Sequence, residues 1–298
     1  MQKQRIPVGV GVAAVLAALL TTLALASSAS AKLVGEFTKF QFCPFQNLEV
    51  RRCTHAVTEG GEVVLGSKES PIVNPVTLQG GLGVVDEEGF QKFYGATNGE
   101  TLEKVPQPVP GGLLGLVPPE ESPPLVAALV ELAAENGLTG VDAILELARP
   151  ASEIKISESH IAEVEGLGMK LPVKIRLDNP FLGKNCYIGS EKAPVWWELI
   201  SGTTEPPPPN EPISGAPGEV EFLEEGRILK LSNNVLVDNS WEAPAASGCG
   251  GWLAFLVDPV INAASGLPAK AGYNTAILEN TIHNATTLAL RKIDAENP

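Results

Sequence analysis

The sequence predicts a mainly β protein: an antiparallel β-sandwich, as one composite domain or two sandwich-like halves, with one or two short helices. Three observations lead there. Short runs of β-favouring residues recur between turn signals. Glycine (30) and proline (25) are dense along the 298 residues, as expected where many turns separate short strands. The segment KLPVKIRLD alternates strictly, Leu171, Val173, Ile175 and Leu177 against Lys170, Pro172, Lys174 and Arg176, which is the pattern of a half-buried strand.

The chain opens with Lys3 and Arg5, an apolar run from Ile6 to Ala26, and the small-residue triplet Ala29-Ser30-Ala31. This is the layout of a secretory signal peptide cleaved after Ala31, which makes Lys32 the first mature residue and predicts a secreted or extracytoplasmic protein. Retention of the apolar run as an anchor is the alternative. Leu33 to Phe42 carries several β-favouring residues, and Cys43-Pro44-Phe45 starts a loop that returns to Cys53. Glu62 to Leu65, flanked by Gly60-Gly61 and Gly66-Ser67, reads as a short strand, and Pro75 interrupts an extended stretch from Pro71 to Leu78.

From Thr101 to Pro124 the chain is rich in proline and glycine. A helix follows: Ser122 can cap it, Pro123 suits its first position, Leu125, Leu129, Leu132 and Ala133 recur at helical spacing, and Gly137 can end it. TGVDAILELARP fits either a second short helix or a strand, and the strand is favoured. Beyond the alternating segment, Val195–Ile200, Val220–Leu223, Ile228–Leu231 and Val235–Val237 continue the β pattern, and the wholly apolar Leu253–Val257 is a candidate central strand. The resulting division is a leader at 1–31, an N-terminal β module at 32–115, a linker with a short helix at 116–140, a C-terminal β module at 141–258 and a terminal segment at 259–298.

Four cysteines in an exported chain favour two disulfides. Of three pairings, Cys43–Cys53 and Cys186–Cys249 are favoured because each lies within one half of the chain. That also makes NPFLGKNCYIGS (179–190) the hardware of a fold: Asn179-Pro180 turns the chain, Gly183 frees the backbone and Cys186 anchors the next strand. The combination of LPVKIRLDNPFLGKNCYIGS, GTTEPPPPN and AGYNTAILENT resembles a group of exported actinobacterial proteins with no assigned activity. The resemblance spans most of the mature chain. It implies export and a shared β fold, and transfers no catalytic residue.

Acidic residues (35) outnumber basic ones (21), for a formal charge of −14. Such a surface repels nucleic acid and anionic lipid, so neither nucleic acid nor, after leader cleavage, membrane is an expected partner. His55, His160 and His283 sit in no zinc spacing, His55 reading as a loop residue and His160 as exposed. Neither a nucleophile motif nor a phosphate-binding loop is present. No catalytic residue, cofactor or metal is therefore assigned. The one candidate binding pair lies in PVWWELI, where alternation puts Trp196 and Glu198 on the face opposite Trp197. The leading expectation is a non-catalytic interaction or structural protein whose partner is a cell-envelope glycan or another surface protein. The alternatives are a secreted polysaccharide hydrolase or carbohydrate-binding protein, marked by carboxylates converging beside an exposed Trp, and a carrier of a small apolar ligand, marked by a closed apolar cavity.

Overall fold

The computed structural model describes residues 33–297, so the leader and its cleavage site lie outside the described residues. Gly35–Phe40, rich in β-favouring side chains, forms a 3₁₀ turn, because the three-residue spacing of Phe37 and Phe40 lets one turn bury both. The Cys43–Cys53 disulfide ties this segment to β1 (Arg52–Leu65). That strand runs straight through Gly60-Gly61, which reads as a turn in sequence. A Cβ on Gly61 would sit 2.0 Å from the Ile277 carbonyl oxygen, and φ there is +105°, so the glycines permit a bulge and a close strand neighbour. The bulge also reverses phase: Thr54, Ala56 and Thr58 point inward before it, and Val63 and Leu65 after it.

Next come β2 (Lys68–Pro71), β3 (Val76–Val85), β4 (Gln91–Gly95), β5 (Pro106–Pro108) and a short helix α1 (Gly112–Leu116). The expected helix is α2 (Pro124–Glu135), with Pro124 in its first turn. The Ser122 hydroxyl does not cap it but donates to the Pro118 carbonyl at 2.7 Å. Its buried stripe is Val126, Val130 and Ala133, while Leu125 and Leu132 are exposed. PLVAALVELAAE is apolar on nearly every side, so packing rather than periodicity selects the buried face. TGVDAILELARP supplies β6 (Asp142–Leu147), as read. After β7 (Lys155–Ile156), Ser157 caps α3 (Glu158–Glu163) by accepting from the His160 N–H at 3.3 Å.

The alternating segment is β8 (Met169–Asp178), and Leu171, Val173, Ile175 and Leu177 are all buried. Its exit turn is organised by Asn179, whose Oδ1 accepts from Phe181 N–H at 2.8 Å while Nδ2 donates to the Leu138 and Gly140 carbonyls. Then follow β9 (Tyr187–Ile188), β10 (Val195–Leu199), β11 (Glu219–Leu223), the bulged β12 (Ile228–Asp238) and β13 (Ala246–Ser247). Leu253–Val257 is not a central strand: apart from Leu253 it belongs to α4 (Ala254–Ser265). A short apolar run suits either element; here Val257, Val260 and Ile261 bury at helical spacing. Asp258 accepts from the Gly248 and Cys249 amides, anchoring α4 to the Cys186–Cys249 disulfide. The chain ends with β14 (Asn274–Thr286) and α5 (Thr287–Glu296).

All strand pairs are antiparallel, in the order β11-β12-β14-β1-β3-β4-β7-β8-β6-β5, with β10 and β9 on the other edge of β8. The fold is thus mainly β with a few short helices. The sandwich-like packing arises within one hydrogen-bonded sheet of 14 strands, curled so that β12, β14, β1 and β3 face β8, β6 and β10 across a shared core. Just beyond β10, Ile200 exchanges both backbone hydrogen bonds with Val237 of β12, at 3.0 and 2.8 Å. The path β12-β14-β1-β3-β4-β7-β8-β10 therefore closes on itself as a barrel-like ring. The described residues 33–297 form one compact unit. The boundaries drawn at 115/116, 140/141 and 258/259 do not divide it, because β14, from the last segment, sits between β1 and β12.

Candidate functional site: an apolar cavity inside the ring

Eight-stranded closures leave an interior that side chains either fill or share with one small ligand. Here they leave a cavity of about 420 Å³, within the range of small-molecule sites. Cross-strand register shows how the sequence builds its wall. One row runs Phe222, Leu229, Asn284, Thr54 and Gly80 across β11, β12, β14, β1 and β3. The next runs Val220, Leu231, Ile282, Ala56 and Leu78. The opposite wall is Met169, Leu171, Ile175 and Leu177 of β8, Ala143 and Leu145 of β6, and Trp197 of β10. The strand face read from the alternating segment is thus largely a cavity wall.

The wall is apolar through its middle, polar at Lys68, Ser70, Gln107, Ser265 and Asn280 toward the β1–β2 turn, and polar again at the opposite end. There Glu158, at the start of α3, accepts from Arg52 Nη1 (2.8 Å) and Gln91 Nε2 (2.9 Å) through Oε2, and from Asn284 Nδ2 (2.8 Å) through Oε1. Burial raises the Glu158 pKa above the ordinary carboxylate value, and the Arg52 guanidinium opposes that rise. Asn284 Oδ1 is buried and has no partner, as is Trp197 Nε1. The same end is open to solvent: Arg52 and Ser159 line the cavity yet are exposed, and so is Val220, at 57%. Phe222, 66% exposed, continues the apolar surface past Val220. Sequence reading missed Arg52, Glu158 and Asn284. The signal available was the polar breaks at Thr54, Asn280 and Asn284 in otherwise apolar inward positions, invisible until register is known.

The sequence-nominated pair lies on the other side of β10. Trp197 is buried and meets Trp241 edge-to-face at 6.1 Å, whereas Trp196 is half-buried on the outer face. Lys170 Nζ lies 5.0 Å from the Trp196 ring centroid and pairs with Glu198 at 2.5 Å, so one face of the indole is already covered. Trp196, Glu198, Asp238 and Trp241 together line a small outer cleft.

His55 is not in a loop. It lies in β1 directly opposite His283 of β14, and the Nδ1 atoms of both are buried without partners. His160 is half-buried, its Nδ1 3.0 Å from the Leu167 carbonyl oxygen and its ring edge-on to Phe90. Among the described residues, no group of three or more His, Cys, Asp or Glu side chains is placed to hold a metal ion. Both disulfides, Cys43–Cys53 and Cys186–Cys249, are formed, which indicates an oxidising, extracytoplasmic environment. No helix among the described residues is long and apolar enough to cross a membrane.

The chain matches no protein-family model, no curated protein and no solved structure. Functional assignment therefore rests on the cavity and its chemistry.

Proposed function

We propose that the protein binds and carries one long-chain apolar molecule in the interior of its β ring, outside the cytoplasm. The observation that carries this reading is the cavity of about 420 Å³, walled by aliphatic side chains from both sides of the curled sheet. A packed core of this size would ordinarily be filled, because interiors approach the density of organic crystals. An unfilled apolar volume forfeits dispersion contacts that a ligand restores. A methylene takes up roughly the volume of a water molecule, on the order of 30 Å³. The cavity therefore accommodates a chain of on the order of 14 carbons, and is small for a lipid with two long chains. Among the functions weighed from sequence, carriage is the one marked by a closed apolar cavity; the cavity here is apolar through its middle and open to solvent at one end, and this reading takes precedence over a purely structural role.

The test is binding of N-phenyl-1-naphthylamine, a dye that fluoresces in apolar surroundings, to purified and delipidated protein. Wild type should bind it saturably. Ala56→Trp fills the middle of the second wall row, so it should abolish binding while thermal unfolding stays cooperative. A wild-type protein that does not enhance the dye, or an Ala56→Trp variant that binds it unchanged, removes the proposal.

A further inference from the structure

We infer that the carried molecule is a single-chain carboxylic acid whose carboxylate is held by the Lys68 ammonium and the Ser265 hydroxyl, toward the β1–β2 turn; this rests on the carriage reading above. Three charged side chains line the cavity: Arg52, Glu158 and Lys68. Arg52 and Glu158 pair with each other, whereas Lys68 forms no ion pair among the described residues. The wall therefore carries one uncompensated positive charge, in a chain whose formal charge is −14. Register places that charge. Lys68 lies opposite Leu65 and Ser70 opposite Val63, two residues of the inward row of β1. Glu69, between them, points to the other face, where its carboxyl meets that of Glu62. Lys68 Nζ donates to the Gly115 carbonyl at 2.8 Å, beside the cavity-lining Leu116, and keeps two further N–H donors.

Ser265, the last residue of α4, adds a second donor. It lines the cavity and is 2% exposed. Its hydroxyl has no hydrogen-bond partner among the described residues and, unlike Asn284 Oδ1, is not sealed from a water molecule. Its backbone carbonyl accepts from Ser67 N–H at 2.9 Å, which holds it next to Lys68 in the wall. The amides toward the same turn are already committed, Asn280 to Thr58, Asn234 and Leu278, and Gln107 to the backbone of Val73 and Asn74. At the opposite end Arg52, Gln91 and Asn284 all donate to Glu158. A carboxylate matches what is left, because it only accepts hydrogen bonds and brings the one negative charge that Lys68 lacks. An alcohol leaves the ammonium uncompensated. A phosphate monoester brings more charge than a single lysine balances. The alkyl chain then runs along Leu65 and Val63 toward Ala56.

The experiment displaces bound N-phenyl-1-naphthylamine with three competitors of equal chain length at neutral pH, each below its micelle-forming concentration: dodecanoate, dodecan-1-ol and dodecyltrimethylammonium. In wild type dodecanoate should displace the dye at roughly tenfold lower concentration than the alcohol, the worth of a hydrogen bond between charged groups. The cation should be the weakest, although the net charge of the protein favours it everywhere else on the surface. Lys68→Met keeps an aliphatic stem, so it should leave dye and alcohol binding intact and remove the advantage of the acid. Lys68→Gln replaces it if thermal unfolding shows the methionine variant misfolded. Ser265→Ala should weaken dodecanoate severalfold. The inference is overturned if the alcohol or the cation matches dodecanoate in wild type, if no competitor displaces the dye, if the Lys68 variants keep the preference for the acid, or if Ser265→Ala binds dodecanoate as wild type does. In each of those results the dye is still bound and carriage stands. A wild-type protein that does not bind the dye removes both readings.

Discussion

The backbone N–H of Glu198 donates to Asp238 Oδ2 at 2.6 Å, so a side-chain carboxylate takes the place of a strand carbonyl where the ring of strands closes. Immediately beyond it, Ile200 and Val237 pair through their backbones. Asp238 is 3% exposed, and its other oxygen accepts from Ser240 N–H at 2.9 Å. The seam between β10 and β12 thus depends on a buried carboxylate that has two amide donors and no basic partner.

That environment raises the Asp238 pKa from 3.8 to about 6, burial being the main cause and the two amides opposing it. A folded-state pKa above the unfolded one means that the group favours folding when protonated, so its contribution is present at low pH and is lost as pH rises from about 4 to 6. The shift of about two units corresponds to roughly 3 kcal/mol. In urea titrations across pH 4–7, wild type should therefore lose stability relative to Asp238→Asn as pH rises. Parallel curves for the two proteins would contradict the assignment.

His283 titrates in the opposite sense. Burial, aided by the charge of Lys39 and by His55 across the strand pair, lowers its pKa from 6.5 to about 4. The unfolded chain takes up the proton first, so this group's contribution is present above about pH 6.5 and disappears as pH falls toward 4. On the order of 3 kcal/mol is again at stake, His283 being 6% exposed. His283→Gln should abolish that acid-side loss, so wild type and variant diverge in pH-dependent thermal unfolding as the pH drops below 6. A constant offset between them would show that His283 does not titrate differently in the two states.

Adjacent tryptophans should behave unequally. Trp197→Ala removes a buried indole that packs on Trp241 and walls the cavity, and should cost about 3–5 kcal/mol. Trp196→Ala loses a half-buried ring and its contact with Lys170, and should cost about 1 kcal/mol or less. Chemical denaturation of both variants checks this. Equal losses would mean that the outer face of β10 is as tightly covered as the inner one.

Local pattern carried much of this fold. The alternation in β8, the opposed faces of Trp196 and Trp197, the existence of α2 and the turn chemistry at Asn179 follow from residue spacing and backbone preference alone, and the structure keeps them. The extent of β1 and the buried stripe of α2 were not legible. Gly60-Gly61 serves equally as a turn or a bulge until β14 is placed beside it, and a helix apolar on all sides does not state which side is inward. Leu253–Val257 failed for a related reason, since a short apolar run has no period to distinguish strand from helix.

The sequence by itself determined which residues share a face of β8 and of β10, and that the chain is acidic and turn-rich. Only the tertiary structure decided that those faces enclose a space. Periodicity reports that a side chain leaves water; it carries no information on whether a partner atom or a void lies beyond it. The open, polar end of the cavity is likewise a product of register: Arg52, Glu158 and Asn284 are more than 100 residues apart in sequence and meet only because β14 pairs with β1 and α3 packs across their ends.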